Sequence, residues 1–220
     1  MRPLFRLTAS ISCAFFLIVQ PLSAFDTPLS DTAVRDAYFV GQRRDDSLAE
    51  LVLKYGHTLP PPATGPYIQS ISFLTPYVLT AINSSQHVGI YSAQQAQLDH
   101  DKGPESVRIV VQIWLTESYG QFMARPAGSD SHSQMGVALR PANFWRDFRL
   151  RVFQNEQLLI PTNATGEPTF RCTEDACDLT GATITFEYPA AAFTEETASI
   201  LVTPPEGDPV SVGFDLTSFR

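Results

Sequence analysis

The chain has 220 residues, of which 44% are hydrophobic and 17% charged, and its formal net charge is −8. It is too apolar for a disordered chain, and its 3 cysteines are too few for a disulfide-rich scaffold. The negative charge also argues against nucleic acid and anionic membranes as partners, because both attract basic surfaces.

The N-terminal segment 1–24 has the pattern of an export signal. Arg2 and Arg6 give a positive start, an apolar stretch covers 7–19, and Ala24 is the small residue before the expected cleavage site. The apolar stretch is shorter than the roughly 18–20 residues that cross a bilayer, so we expect cleavage and no retained membrane span. The mature protein is therefore expected to be periplasmic or secreted.

Two short helices are predicted in the segment 25–58. Ser30 or Asp31 can cap the first helix by accepting from its free N–H groups. Ser47 and Glu50 form a capping-box pattern for the second helix, whose apolar residues recur at helical spacing. The interpretation is a short antiparallel helical hairpin.

A proline-rich spacer follows at 59–66, since three consecutive prolines exclude both a helix and an inner strand. The alternation at 67–74 then predicts a strand, and Pro76 opens a short helix. Ser92 and Gln95 form a second capping-box pattern, which predicts another helix.

The rest of the 67–220 domain is predicted to be rich in strands, because apolar and polar residues alternate there. The alternating apolar residues are Val107, Ile109, Val111, Ile113, Leu115, Phe144, Phe148, Leu150, Val152, Ala182, Ile184, Phe186, Tyr188, Ile200, Val202, Val210, Val212, Phe214 and Leu216. The last two strands form a hairpin around a turn rich in proline and glycine. The predicted fold class is mainly β (α+β): an antiparallel immunoglobulin-like β-sandwich preceded by the helical hairpin.

Cys172 and Cys177 remain after removal of the signal, with four residues between them. An exported protein meets an oxidising compartment, so we predict a structural disulfide across a strand-connecting loop. A redox-active pair usually has two intervening residues, and a zinc site would need further ligands.

Asp99, His100 and Asp101 offer three potential metal ligands in a row. Adjacent residues on a helix point in different directions, so a solvated helix end is favoured over a metal site. No glycine-rich loop for phosphate precedes a helix, and no cofactor is expected.

The segment 129–133 contains the residue types of a hydrolase triad, including His132. A working triad brings its members together from distant segments, so a polar loop is the favoured interpretation. Arg146, Arg149 and Arg151 form a local basic strip, but Asp147 interrupts it and the chain is acidic, which argues against nucleic acid.

Several stretches resemble an uncharacterised family of exported bacterial proteins that has no assigned activity. The similar stretches are Asp36–Arg43, Gly65–Ile68, Leu74–Tyr77, Gly89–Gln95, Phe148–Val152 and Phe214–Leu216. The resemblance covers most of the mature chain and implies a bacterial envelope or secreted setting, with no catalytic residue to carry over.

The favoured hypothesis is an exported, non-enzymatic protein that binds or supports another envelope protein through sheet edges or loop tips. One alternative is a small secreted hydrolase that uses His132 or His100 with a distant carboxylate. The other is a carrier of a small apolar ligand between the sheets, which would require a lined cavity instead of a filled core.

Overall fold

A computed structural model describes residues 24–87, 89, 91–124, 137–174 and 176–220. As predicted, this part of the chain is mainly β, with antiparallel strand pairs. Its α-helices are α1 (Asp31–Gln42), α2 (Ser47–Lys54), α3 (Pro76–Gln86) and α4 (Ala93–His100). Its strands are β1 (Gly56–Thr58), β2 (Tyr67–Leu74), β3 (Ser106–Trp114), β4 (Phe122–Ala124), β5 (Val137–Leu139), β6 (Arg149–Gln154), β7 (Gln157–Leu159), β8 (Asn163–Cys172), β9 (Cys177–Pro189), β10 (Thr197–Thr203) and β11 (Val210–Asp215).

The strands form two larger sheets and one small one. The first sheet has five strands in the order β1-β2-β3-β9-β8, and the second has four in the order β11-β10-β6-β7. Strands β4 and β5 pair with each other in the small sheet. The terminal hairpin of β10 and β11 is confirmed, with Ile200 opposite Val212.

The two larger sheets share one buried core. The alternation predicted for β3 is confirmed, because Val107, Ile109, Val111 and Ile113 are no more than 2% exposed. Their partners from the second sheet include Ile200, which is 0% exposed. Each such aliphatic side chain stabilises the fold by about 1.5–3 kcal/mol when it is fully buried.

The predicted signal lies outside the described residues except for Ala24, but the chain just after it enters the core. Phe25 is 5% exposed, and its ring centroid lies 6.1 Å from that of Phe73 and 6.3 Å from that of Phe193. The aromatic ring therefore anchors this first part of the described chain in the core shared by the sheets.

The helices pack differently from the predicted hairpin. Helix α1 lies mainly along α3 and α4 and touches α2 only slightly. Val34 and Ala37 of α1 are buried in one cluster with Val78 and Ala81 of α3, whereas no residue within α2 is fully buried. Gly41 permits the close approach, since a Cβ there would lie 2.1 Å from the carbonyl oxygen of Ala81.

Two of the three predicted caps are confirmed. The Ser30 side chain accepts from the N–H of Ala33, and the Ser92 side chain accepts from the N–H of Gln95. The capping box at Ser47 is wrong, because its hydroxyl donates to the nearby Asp45 carboxylate and the N-cap position lies one residue earlier.

The structure also adds strands that the sequence did not suggest. Residues 59–66 contain neither helix nor strand, but β1 directly precedes them and pairs with β2. Strand β8 is almost wholly exposed, so it lacks the apolar alternation that identifies a half-buried strand. Phe144–Asp147 forms a 3₁₀ turn, and the strand expected from Phe144 begins only at Arg149. No helix in the described part of the chain is long and apolar enough to span a bilayer.

Candidate functional site

His100 meets a carboxylate at the junction of α4 and β3. Its Nε2 atom lies 2.8 Å from the Oε1 atom of Glu105, and its Nδ1 atom lies 3.3 Å from a carboxylate oxygen of Asp101. The side chains of His100 and Glu105 are 14% and 10% exposed. A contact between an imidazole and a carboxylate is therefore present at His100, but Glu105 is five residues away in sequence and is not the distant carboxylate of the hydrolase hypothesis.

Glu105 also holds the N-terminal segment in place. Its carboxylate accepts from the backbone N–H of Leu29 at 2.5 Å and from the hydroxyl of Thr27. Because Leu29 precedes α1, one carboxylate links the entry to α1, the end of α4 and the start of β3. Such a hydrogen-bond network, with one carboxylate joining three segments, is typical of a structural role.

The His100 cluster lacks the geometry of a hydrolytic triad. A triad histidine directs one ring nitrogen to its carboxylate and the other to a nucleophile, whereas both ring nitrogens of His100 face carboxylates. Thr80 and Ser106 line the adjacent cleft of about 250 Å³. The Thr80 hydroxyl donates to the carbonyl of Pro76, and the Ser106 hydroxyl donates to Glu187.

Asp99, the first of the three candidate metal ligands, has partners outside that set. Asp99 accepts from Gln95 at 2.9 Å and pairs with Lys102 at 2.5 Å, and the Lys102 contact lowers the pKa of the Asp99 carboxyl. Within the described ranges, no three His, Cys, Asp or Glu side chains are grouped as metal ligands. His132 and the rest of the 129–133 segment lie outside the described residues.

The disulfide prediction is confirmed. Cys172 ends β8 and Cys177 begins β9, and the two are bonded across the connecting turn. The bond closes the hairpin at one edge of the first sheet, which is the structural role expected from the spacing.

The second sheet presents a mixed basic and apolar surface to solvent. Arg149, Arg151 and Phe153 alternate outward along β6, while Leu150, Val152 and Gln154 alternate inward. Leu201 of β10 lies beside Arg151, and Leu158 of β7 lies beside Phe153. We call Arg149, Arg151, Phe153, Leu158 and Leu201 the arginine face.

The acidic residues near the arginine face lie apart from its two arginines. A shallow groove of about 340 Å³ crosses Phe153 and ends near Glu156 and Asp215, away from the arginines. The ion pairs found between described residues involve other groups, so Arg149 and Arg151 have no acidic partner within 4 Å in this part of the chain. No described carboxylate therefore occupies either guanidinium group, and a carboxylate is a partner that arginine holds through strong, charge-assisted hydrogen bonds.

The sequence identified only part of this surface. It marked the basic strip but not the apolar members, because Leu158 and Leu201 come from separate strands. The outward position of Phe153 was visible in the alternation of β6, where it follows the two arginines at every second residue. An apolar residue on the polar side of a strand is the signal that could have identified it.

No family model and no curated protein matches this chain.

Proposed function

We propose that the protein is an exported, non-enzymatic binding module of the bacterial envelope, and that its arginine face holds an acidic surface of another envelope protein. The observation that carries this proposal is a pair of arginines without an acidic partner among the described residues, beside the exposed Leu158 and the half-buried Phe153 and Leu201, on a chain whose net charge is −8. Arginine is enriched at the centres of protein interfaces, and flanking apolar side chains exclude water there.

The export part of the proposal is supported by the signal pattern at 1–24 and by the Cys172–Cys177 bond, which an oxidising compartment favours. The resemblance to uncharacterised exported bacterial proteins supports the same setting.

The architecture proposed for this module is an immunoglobulin-like sandwich. Support comes from the strand order, since β2-β3-β9-β8 and β11-β10-β6-β7 correspond to the orders A-B-E-D and G-F-C-C′ of immunoglobulin domains. In this correspondence the arginine face is the outer side of the G-F-C-C′ sheet. The disulfide between strands B and F is replaced here by one across the hairpin of β8 and β9.

The packed interior favours an interaction module over a carrier. Ile109, Ile184 and Ile200 lie between the sheets, are at most 2% exposed and belong to one contiguous cluster. Binding is therefore assigned to the outer surface.

Site-specific photocrosslinking in the producing cell tests the proposal. A photoreactive residue replaces Leu158 on the arginine face, and a matched control replaces Leu53 of α2, which is 70% exposed. We expect a discrete adduct from position 158 only, with a partner whose contact region is acidic by mass spectrometry. The adduct should weaken as ionic strength rises, because exposed charges are screened.

Charge reversal then tests the arginines directly. R149E with R151E should reduce binding of the purified partner at least tenfold, which corresponds to about 1.4 kcal/mol. R43E with R44E makes the same change of charge on the helical side and should leave binding intact. The proposal fails if no adduct forms from the face, or if the partner binds equally well after charge reversal.

A further inference from the structure

The outer side of the first sheet carries a second, chemically different groove. It has a volume of about 190 Å³ and is lined by Gln112, Trp114, Thr169, Thr183 and their neighbours on β3, β8 and β9. Trp114 is 40% exposed although it is one of the largest apolar side chains of the sheet. An exposed indole surrounded by polar groups is a frequent feature of binding sites.

Strand register explains why these side chains meet. Trp114 lies opposite Gly181, and Gly181 lies opposite Thr169. Two residues along, Gln112 lies opposite Thr183. Glycine at 181 leaves the space beside the indole free of a side chain, and a Cβ there would lie 2.1 Å from the carbonyl oxygen of Ile113. The close approach of β9 to β3 therefore requires glycine at 181, and the missing side chain also keeps the groove open.

The polar groups of the groove retain hydrogen-bonding capacity. The Oε1 atom of Gln112 accepts from the Ser70 hydroxyl at 3.2 Å, which leaves its two amide N–H donors directed elsewhere. Thr180 donates to the carbonyl of Thr169 at 3.2 Å. The side-chain hydroxyls of Thr169 and Thr183 each offer one donor and two acceptor lone pairs beside the indole.

The lining of this groove, as far as the chain is described, contains no charged side chain. A phosphate, a nucleotide or an acidic peptide would find no cation among the lining residues. Glu167, opposite Thr183, lies beside the lining as a single carboxylate, which is too few ligands for a metal ion. A pyranose ring has the complementary chemistry, since its apolar C–H face covers an aromatic ring and its hydroxyl rim exchanges hydrogen bonds with amides and hydroxyls. The volume is below the roughly 300–1,000 Å³ of pockets for drug-sized ligands, which fits one sugar ring.

We propose that the Trp114 groove binds one ring of a neutral polysaccharide, with the neighbouring rings lying along the outer surface of the sheet. This site goes beyond the protein contact proposed for the arginine face, because it lies on the other sheet and recognises a ligand without charge. A module with both sites would hold an envelope protein on one side and a glycan on the other.

Affinity electrophoresis of the mature protein tests this inference, with gels that contain soluble β-glucan, α-mannan or β-galactan as separate probes. We expect retardation by at least one of them and a loss of affinity of about tenfold or more in W114A. W114F should keep part of the affinity, because a smaller aromatic ring remains. F170A is the matched control, since Phe170 on β8 is 49% exposed and lies outside the groove lining.

A second measurement protects the test against misfolding of W114A. T169V with T183V removes two hydroxyls while keeping the indole, and it should weaken binding with unchanged circular dichroism. In a W145F background Trp114 is the remaining tryptophan, because the chain has 2, so the retarding glycan should change its fluorescence.

Absence of retardation by all three glycans, or retardation that W114A retains, would overturn the inference. R149E with R151E should leave glycan binding unchanged, so failure of one proposal is distinguishable from failure of the other.

Discussion

Removal of the hydroxyl from two buried tyrosines should change the free energy of unfolding in opposite directions. Tyr188 on β9 is 0% exposed, and its hydroxyl forms no hydrogen bond with the described residues. A buried polar group without a partner destabilises a protein by about 1–3 kcal/mol. Tyr188→Phe removes the hydroxyl and keeps the ring, whose centroid lies 6.0 Å from that of Phe193. We expect the free energy of unfolding to rise by about 1 kcal/mol, since the vacated space offsets part of the gain.

Tyr55 is the matched control. It is 4% exposed, and its hydroxyl accepts from the backbone N–H of Arg220 at 2.9 Å. Tyr55→Phe leaves that partly buried donor without its acceptor, so the free energy of unfolding should fall by about 0.5–1.5 kcal/mol. The stacking of this ring on Phe219 should be the same before and after Tyr55→Phe, because only the hydroxyl is removed.

Alkaline pH gives a second readout for Tyr188. Burial raises the pKa of the Tyr188 phenol above its ordinary value of 10.0. Above about pH 10 the unfolded chain loses this proton while the folded chain keeps it, so stability falls as pH rises. The contribution of one such tyrosine approaches about 1.4 kcal/mol per pH unit, and Tyr188→Phe should remove it and flatten the decline.

Urea unfolding followed by circular dichroism measures both effects, provided that the three proteins have equal m-values. The series is run at neutral pH and at intervals above pH 10. A loss of more than 1 kcal/mol in Tyr188→Phe at neutral pH would refute the reasoning. An alkaline decline that is equally steep with and without the phenol would refute it as well.

Two further variants test the packing of the helices and the edge of the first sheet. Gly41→Ala forces α1 away from the carbonyl of Ala81 and should destabilise the protein by about 1–3 kcal/mol in urea, whereas Gly213→Ala, with no atom within 4 Å of the new Cβ, should be nearly neutral; equal midpoints would contradict the close packing of α1 on α3. Replacing Cys172 and Cys177 by serine should lower stability by about 2 kcal/mol, because the unfolded chain loses a loop constraint. Reductant should produce the same shift in the unmodified protein, and stability that ignores reductant would count against the structural role of the bond.

Patterns within short segments predicted the local structure well. Strand β3 (Ser106–Trp114) was recognisable because its side chains alternate between two faces at every second residue. The cap at Ser92 depends on groups three residues apart, so the sequence contains all of its determinants. The capping box at Ser47 failed because Asp45, two residues before it, competes for the same hydroxyl.

Contacts between distant segments were beyond such patterns. Arg151 and Leu201 are separated by fifty residues of sequence and become neighbours only through the pairing of β6 with β10. Strand β8 is held by its partner β9 and by the disulfide, and its own residues carry little strand signal. The His100–Glu105 contact could be read as a short-range pair, but its link to Leu29 could not.

The order of residues by itself determined the class of the fold, the two confirmed helix caps and the pairing of Cys172 with Cys177, since these depend on spacing over a few residues. The assembled sheets alone decided which helix α1 accompanies, which strands lie at an edge and which side chains share an outer surface. The physical reason is that backbone hydrogen bonds pair strands regardless of their separation along the chain, while burial of apolar side chains selects among the possible pairings.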